Sequence, residues 1–165
     1  MGQESFTQRE ITAFAVAAAV GMVGLNLLFY AFTLEDAFIT FRYSEHLAEG
    51  HGFGAWNTTG QPVEGYTSFL WMVLLAGARR IGLDLRTASK IPGMLAHLTV
   101  SVFLILLPAL PHSEGLEGRE KARIDNTSVL AGLFVAFYLP VAWYGVSGME
   151  AVAFAALAGV ATVSL

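Results

Sequence analysis

The chain has no cysteine among its 165 residues and few charged residues of either sign. The absence of cysteine excludes disulfide bonds, cysteine-ligated zinc and thiol nucleophiles. Charged residues make up 13% of the chain, about half of the roughly 25% that is usual for a soluble domain. A net charge of −4 leaves no basic surface for nucleic acid. These shortages predict an integral membrane protein that has no nucleic-acid partner.

What the sequence has instead is long apolar runs, at residues 11–34, 91–110 and 129–145, and again from 150–165. Only helices and closed barrels span a bilayer, and these runs are continuous rather than alternating. A spanning helix needs roughly 20 apolar residues. The sequence therefore predicts an all-α integral membrane protein, a single transmembrane module over residues 1–165 with about four spanning helices.

The first apolar run has to be distinguished from a secretory signal. It holds 24 residues without a charge, from Ile11 to Leu34, and no small-residue cleavage site precedes the acids that follow it. Its length is about twice that of a usual signal-peptide core. We therefore expect a retained spanning helix whose N-terminus is cytoplasmic.

A shorter apolar run at residues 68–78 decides the predicted topology. It has eleven residues, and runs of about 10–14 are more often re-entrant or interfacial than spanning. Lys and Arg divide five inside and four outside if this run spans, and four inside and five outside if it dips. That margin is too small for the positive-inside rule. On length we prefer the dip, which leaves residues 35–90 external and residues 111–127 cytoplasmic.

Within this external region we predict an interfacial helix over 36–49 and a re-entrant or interfacial helix over 67–80. On a helical projection the polar side chains of the first helix form one stripe, and nearly everything else is apolar. The stripe consists of Glu35, Arg42, Glu45, His46 and Glu49. Asp36 projects off it, beside Ile39 and Tyr43, so this carboxylate needs an explanation.

Two interpretations fit the acid pair, Glu35 and Asp36. Thr33 followed by Asp36 matches the capping-box pattern, and acids in a first helical turn complement the helix dipole. Alternatively, a carboxylate held against apolar side chains has a raised pKa, which suits a general base. Both hold together if the cap fixes the backbone that aims the neighbouring carboxylate.

Glu150 is a further acid that needs a reason. It lies in "YGVSGMEAVAFAA", at the mouth of an apolar run. Ionisable groups beside a membrane segment are functional hypotheses by default. The predicted dip places Glu150 on the same external face as the acid pair, which is a second reason for preferring the dip.

Other residues have ordinary structural interpretations. His97 is expected to be a hydrogen-bonded packing residue inside a span, and Ala17 and Gly21 predict close helix packing. A group of cations follows the short apolar run and fits either a membrane-surface anchor or a lipid-phosphate site, because both use the same electrostatics. This group is Arg79, Arg80, Arg86 and Lys90.

The segment "EDAFITFRYSEHLAEGHGFGAWNTTGQPVEGYTSFLW" (residues 35–71) resembles the first external loop of GT-C class membrane glycosyltransferases, in particular an arabinofuranosyltransferase-like branch. "SGMEA" (147–151) is similar to a later element of that family. The match is dense in the first segment and loose in the second. It covers only what would be the N-terminal part of the family's much longer module.

The resemblance implies a GT-C-like fold in which juxtamembrane helices lie in an external loop after the first span. It implies transfer of a sugar from a polyprenyl-phosphate donor to an acceptor on the outer face of the inner (plasma) membrane, in a bacterial cell envelope. The family's acid at the end of the first helix is a general base or acceptor-orienting group, a role that falls here on Glu35 and Asp36. The family has Asp-Asp there, and we favour Asp36. No cofactor is implied for certain, and a divalent cation at the acid pair is an open alternative.

Sugar transfer with inversion needs a base for the acceptor hydroxyl and cationic groups for the departing phosphate. Arginine suits bidentate phosphate binding, and sugars stack on aromatic rings. The predicted substrate-binding residues are Arg42, Arg79, Arg80, Trp56, Tyr66, Trp71 and Glu150.

Two hypotheses follow for the whole chain. It is the N-terminal portion or a short relative of a membrane glycosyltransferase, which we expect to be inactive as this chain alone. Alternatively, it is a non-catalytic structural or accessory subunit of a larger membrane complex. The retained acid pair favours the first, and the break-off of the last apolar run at Leu165 favours the second. Membrane lipid and other membrane subunits are the remaining expected partners.

Overall fold

The computed structural model describes residues 6–59, 61–106 and 126–164. These residues form seven helices and no strand. The helices are α1 (Gln8–Leu28), α2 (Glu35–Ala48), α3 (Phe69–Arg80), α4 (Leu85–Leu106), α5 (Asn126–Phe137), α6 (Leu139–Gly145) and α7 (Ala151–Ser164). The predicted cytoplasmic loop lies, apart from its last two residues, outside the described residues.

Two of these helices, α1 from Arg9 and all of α4, are long and apolar enough to cross a membrane. The pair α5 and α6 passes the same test together but is bent by 56° between its halves, and α7 is a shorter apolar helix. The described residues thus contain two candidate spans, or three if the bent pair is one span. The all-helical prediction is confirmed for these residues, while four spans and a GT-C fold stay predictions.

Helix α1 begins with a capping box at Thr7 and Glu10, which the sequence analysis did not predict. Thr7 accepts a hydrogen bond from the Glu10 backbone N–H, and the Glu10 carboxylate accepts one from the Thr7 N–H. The expected box at Thr33 and Asp36 does not form, because Leu34 is the N-cap of α2 and has no side-chain hydrogen bond to the helix. The Thr33 hydroxyl is buried without a hydrogen-bond partner among the described residues. The predicted capping box is therefore wrong, whereas Glu35 and Asp36 do stand in the first turn of the helix, as the dipole argument expected.

Lys90 joins the end of α1 to the beginning of α4. Helix α4 begins at Leu85, six residues before the predicted span, so Lys90 lies inside it and is fully buried. Its ammonium group donates to the backbone carbonyls of Tyr30 and Phe32 and lies 4.9 Å from the centroid of the Tyr30 ring. These carbonyls follow the last turn of α1, where a helix leaves its acceptors unpaired and a cation is favoured. The interpretation of Lys90 as a surface anchor is therefore wrong.

The bend between α5 and α6 has a covalent cause. Pro140 has no backbone N–H to donate to a carbonyl one turn earlier. The helical hydrogen-bond pattern is therefore interrupted, and a new helix, α6, begins after its N-cap Tyr138. The buried His97 ring of α4 donates from Nε2 to the Val135 carbonyl, at 2.9 Å. Because Nε2 carries the proton in this contact, Nδ1 is free to accept from Asn26 of α1, at 3.4 Å. The expectation that His97 is a hydrogen-bonded packing residue is confirmed.

Glycines let these helices approach closely. A methyl group on Gly93 of α4 would lie 2.0 Å from the Gly145 carbonyl oxygen, and one on Gly21 of α1 would lie 2.1 Å from the Phe137 ring. The predicted packing role of Gly21 is confirmed, whereas Ala17 is exposed and its predicted role is wrong. Such contacts replace hydrophobic burial as the source of helix association in a membrane.

The contacts order the bundle. The end of α1 meets the beginning of α4 through Lys90, and the end of α6 meets the same part of α4 through Gly93 and Gly145. The chain therefore leaves α1 and enters α4 at one end of the bundle. Helices α2 and α3, which connect them, lie at that end, and α3 is only 12 residues long. We call it the acid-pair end.

A labelling experiment tests which side of the membrane this end faces. We expect a single Cys at Leu83, between α3 and α4, to react with an impermeant maleimide added from outside. A single Cys at Ser113 should react only after the membrane is opened. Leu83 is a suitable position because its side chain is 45% exposed, whereas the neighbouring Ser89 is fully buried. Labelling at position 113 but not at 83 in intact cells would contradict the predicted dip.

Replacing the buried ammonium tests its structural role. Lys90→Met leaves the Tyr30 and Phe32 carbonyls without their donor, which costs about 2 kcal/mol. For a chain of this length that corresponds to a melting temperature lower by roughly 4–8 °C in detergent. The matched control is Arg86→Met, which removes an exposed cation from the same helix and should change the melting temperature by less than about 2 °C. Equal shifts for both variants would show that Lys90 does not hold the two helices together.

Candidate functional site

Helix α2 presents the acid pair by burying a different face against α3 and α4. Ala37 and Phe41 pack in one cluster with Trp71, Leu75, Leu85 and Ala88. The buried Ser44 hydroxyl donates to the Met72 carbonyl of α3, at 3.0 Å. Glu35 and Asp36 stand in the first turn of α2 and both are exposed. The helix therefore holds two carboxylates at the acid-pair end, in the positions that the helix dipole favours.

The structure corrects two features of the helical projection. Asp36 is exposed, so the expectation that Ile39 and Tyr43 enclose its carboxylate is wrong. His46 belongs to the buried face, not to the polar stripe, and its Nδ1 donates to the Ala55 carbonyl at 2.6 Å. The rest of the stripe is confirmed as the outward face, with Glu45 half-buried and Glu35, Arg42 and Glu49 exposed.

The carboxylates of Glu35 and Asp36 have no side-chain partner among the described residues. Neither forms an ion pair or a hydrogen bond with any described residue, whereas Glu45 is paired with Arg79 at 2.8 Å. An exposed carboxylate without a partner is available to a ligand. Glu35 and Asp36 can therefore accept a proton or a hydrogen bond from a substrate hydroxyl without first breaking a contact in the fold.

The segment 147–151 meets the segment around the acid pair, although more than 100 residues separate them in sequence. The Leu34 backbone N–H, directly before the acids, donates to the Ser147 carbonyl at 2.9 Å. The indole N–H of Trp71 donates to the Gly148 carbonyl at 3.2 Å. Gly148 has a φ of +88°, and a methyl group there would lie 3.1 Å from both Ala37 and Phe41. The fit between these two segments is therefore tight and requires glycine.

This junction also places Glu150 at the acid-pair end. The Glu150 carbonyl accepts from the Phe154 N–H and begins α7. One carboxylate oxygen, Oε2, is buried without a hydrogen-bond partner among the described residues. A buried acceptor left unpaired costs free energy. Glu150 thus has an unused acceptor only three residues from the backbone that binds Leu34.

The loop between α2 and α3 is held against α2 by three side chains that donate to its carbonyls. Arg42 donates through Nε to Trp56 at 2.7 Å, Tyr43 donates its hydroxyl proton to Val63 at 2.7 Å, and His46 binds Ala55. Gly50, Gly52 and Gly54 take positive φ angles that let the chain turn there. This loop is thus fixed by side chains of α2.

Aromatic rings gather around Tyr43 beneath this loop. The Trp56 and Tyr66 ring centroids lie 5.5 and 5.1 Å from that of Tyr43. Desolvation, and then the charge of Glu64, raises the pKa of Tyr66 above its usual value. Trp56 is 39% exposed, whereas Trp71 is only 3% exposed. Trp71 therefore packs inside the fold, and of the three predicted rings Trp56 and Tyr66 are the two that remain accessible for stacking.

Three of the predicted phosphate-binding cations are used within the fold. The guanidinium of Arg42 binds Trp56 and lies 5.1 Å from its ring centroid. Arg79 pairs with Glu45, and Arg80 donates from Nε to the Ala48 carbonyl at 3.2 Å. These contacts fasten α2 to α3 and to the loop. They leave each guanidinium only some of its donors for a ligand.

Arg86 is expected from the sequence to belong to the anchor or lipid-phosphate group, not to the substrate-binding residues. It is exposed in the first turn of α4, and its Cζ lies 5.7 Å from the Phe38 ring centroid, two residues after Asp36. In the described part of the chain it makes no hydrogen bond from its side chain. Nearby, the Thr87 backbone N–H lowers the pKa of Asp84 by hydrogen bonding to its carboxylate. Arg86 is therefore the cation near the acids that keeps its donors free.

Within the described ranges there is no group of three His, Asp or Glu side chains arranged to hold a metal ion. A divalent cation at the acid pair would therefore have at most these two carboxylates from the described residues, with the remaining ligands from solvent or substrate. Mg²⁺ is often held by one or two carboxylates together with substrate phosphates. The acid pair fits that pattern only in the presence of a phosphate-bearing substrate.

Comparisons with protein-family models, with curated proteins and with solved structures find no match to this chain.

Two glycines allow the tight junction at Gly148 to be tested. Gly148→Ala places a side chain at a positive φ and also pushes it against Ala37 and Phe41. Gly50→Ala places the same side chain at a φ of +90° with nothing within 4 Å, so it costs the backbone strain alone, about 1 kcal/mol. We expect the melting temperature to fall by roughly 2–4 °C for Gly50→Ala and by at least twice that for Gly148→Ala. Equal losses would contradict a tight junction.

Proposed function

We propose that the chain is the N-terminal portion or a short relative of a GT-C-like membrane glycosyltransferase. In this proposal it takes a sugar from a polyprenyl-phosphate donor at the outer face of the inner membrane, in a bacterial cell envelope. The observation that carries the proposal is the junction between the two segments of the resemblance, residues 35–71 and 147–151. The Trp71–Gly148 hydrogen bond joins them directly, and the Leu34–Ser147 hydrogen bond joins the residue just before the acids to the second segment.

The arrangement at the acid-pair end suits this chemistry. Two exposed carboxylates without partners are available to take the proton of an acceptor hydroxyl. Arg86, with free donors, lies beside the same helix and can bind a departing phosphate. This assignment replaces Arg79 and Arg80, whose donors are partly used within the fold. Trp56 and Tyr66 are the rings available to a sugar.

A non-catalytic subunit is the second candidate, and one observation favours it. Arg42, Arg79 and Arg80 stabilise the packing of α2 against α3 and the loop. The cations that would have marked a donor site thus have structural contacts instead. In this alternative the α2–loop–α3 unit is retained for its shape, and the acids bind a neighbouring membrane subunit.

Substitution of the two acids separates these candidates. In membranes that contain the full protein, transfer of a radiolabelled sugar from a polyprenyl-phosphate donor should fall about 10²–10⁴-fold for Asp36→Asn, because the base is lost. Glu35→Gln should retain most of the transfer. This preference for Asp36 rests on the resemblance, in which Asp is kept at the second position. The melting temperatures of both variants should fall by no more than about 4 °C, because neither acid has a side-chain partner in the described fold and only the helix-dipole contribution is lost.

The matched control is Glu49→Gln, which removes an exposed negative charge from the other end of α2. It should leave transfer unchanged. Full activity in Asp36→Asn would contradict the assignment of the base. The absence of transfer by the unchanged protein, with or without co-purified subunits, would favour the non-catalytic subunit.

A further inference from the structure

The outward face of α3 is apolar but has a gap. Leu70, Leu74 and Ile81 follow one another at helical spacing, and their side chains are 57%, 54% and 77% exposed. Gly77 occupies the place between Leu74 and Ile81 on that face. A methyl group on Gly77 would meet nothing within 4 Å. The glycine therefore leaves open space in an otherwise continuous apolar stripe.

This gap is part of a groove between α2 and α3 with a volume of about 240 Å³. Its lining consists of Leu47, Val73, Ala76, Gly77 and Arg80. Four of these residues are apolar, and the fifth is a cation. The Arg80 Nε binds the Ala48 carbonyl, which fixes the guanidinium beside the groove. Its two terminal nitrogens make no hydrogen bond with a described residue.

The position of the groove indicates what fills it. Only residues 81–84 separate α3 from α4, which is long and apolar enough to cross a membrane. Helix α3 therefore lies at the end of a span, at the level of lipid headgroups, where an apolar face and adjacent arginines are typical of interfacial helices. Residues 69–78 of the helix include no charged side chain, so its outward face is not one that water would solvate well.

We propose that this groove binds an acyl chain of a membrane phospholipid whose anionic headgroup is held by Arg80. The apolar walls receive the chain, and the terminal nitrogens of the guanidinium donate to the phosphate. A lipid bound in this way fastens α2 and α3 to the membrane surface. The site is separate from the acid pair and does not depend on the proposed transferase activity.

Gly77→Leu tests the chain-binding part of the groove. The new side chain enters open space and replaces glycine within a helix, so α3 should be at least as stable as before. Native mass spectrometry of the full chain in detergent, titrated with phosphatidylglycerol, should give an apparent Kd at least about tenfold weaker for this variant. The matched control is Gly159→Leu, the same change at a glycine of α7 that also has nothing within 4 Å. It should leave the Kd unchanged.

Arg80→Gln tests the headgroup. The unchanged protein should bind phosphatidylglycerol about tenfold more tightly than phosphatidylcholine with the same chains, and this preference should disappear in the variant. Equal binding by Gly77→Leu and Gly159→Leu would overturn the proposal, as would a preference for phosphatidylglycerol that survives Arg80→Gln. Tighter binding of polyprenyl monophosphate than of phosphatidylglycerol, lost in Gly77→Leu, would overturn the choice of a phospholipid.

Discussion

The fold depends on one buried cation. Lys90 places its ammonium group on the carbonyls that follow α1 and so connects the first candidate span to the second. A charge inside a helical bundle is costly unless it has partners, and the carbonyls and the Tyr30 ring provide them. Because Phe32 stands only three residues before Glu35, the same contact fixes where α2 begins and hence where the acid pair lies.

The interior of the bundle contains polar side chains, and the helix backbones approach each other closely there. Helix α4 turns Ser89, Lys90, His97 and Ser101 inward, and each of them hydrogen-bonds a backbone carbonyl. Where no polar group intervenes, glycine brings backbones together, as Gly93 does with Gly145. Hydrogen bonds and close packing of this kind stabilise helices that are surrounded by lipid rather than by water. The bend at Pro140 fits this scheme, since the Val135 carbonyl beside it accepts from both the Tyr138 backbone N–H and the His97 ring.

The sequence predicted where the helices lie better than it predicted which side of each helix is buried. Periodicity and apolar length predicted helices in the described regions, the position of α3 and the packing of Gly21. They misplaced the beginning of α4, because hydropathy treats Lys90 as the end of an apolar run, whereas a nearby helix end makes the charge acceptable there. The projection of α2 misjudged Asp36 and His46 for a related reason. Which side of a helix is buried depends on where α3 and the loop lie, and spacing within α2 carries no such information.

The same limit governs the candidate site. Residue types nominated acids, arginines and rings as candidate site residues, but an arginine that holds a loop in place has the same sequence signature as one that is available to bind a phosphate. Only the contacts distinguish the two kinds of arginine. Arg42, Arg79 and Arg80 form hydrogen bonds within the fold, whereas the side chain of Arg86 forms none with a described residue. The acids show the opposite pattern, because Glu35 and Asp36 form no ion pair or side-chain hydrogen bond with any described residue. Their position in the first turn of α2 is favoured by the helix dipole alone, a contribution that spacing within the sequence does predict, whereas the absence of a side-chain partner in the described fold is visible only from the contacts.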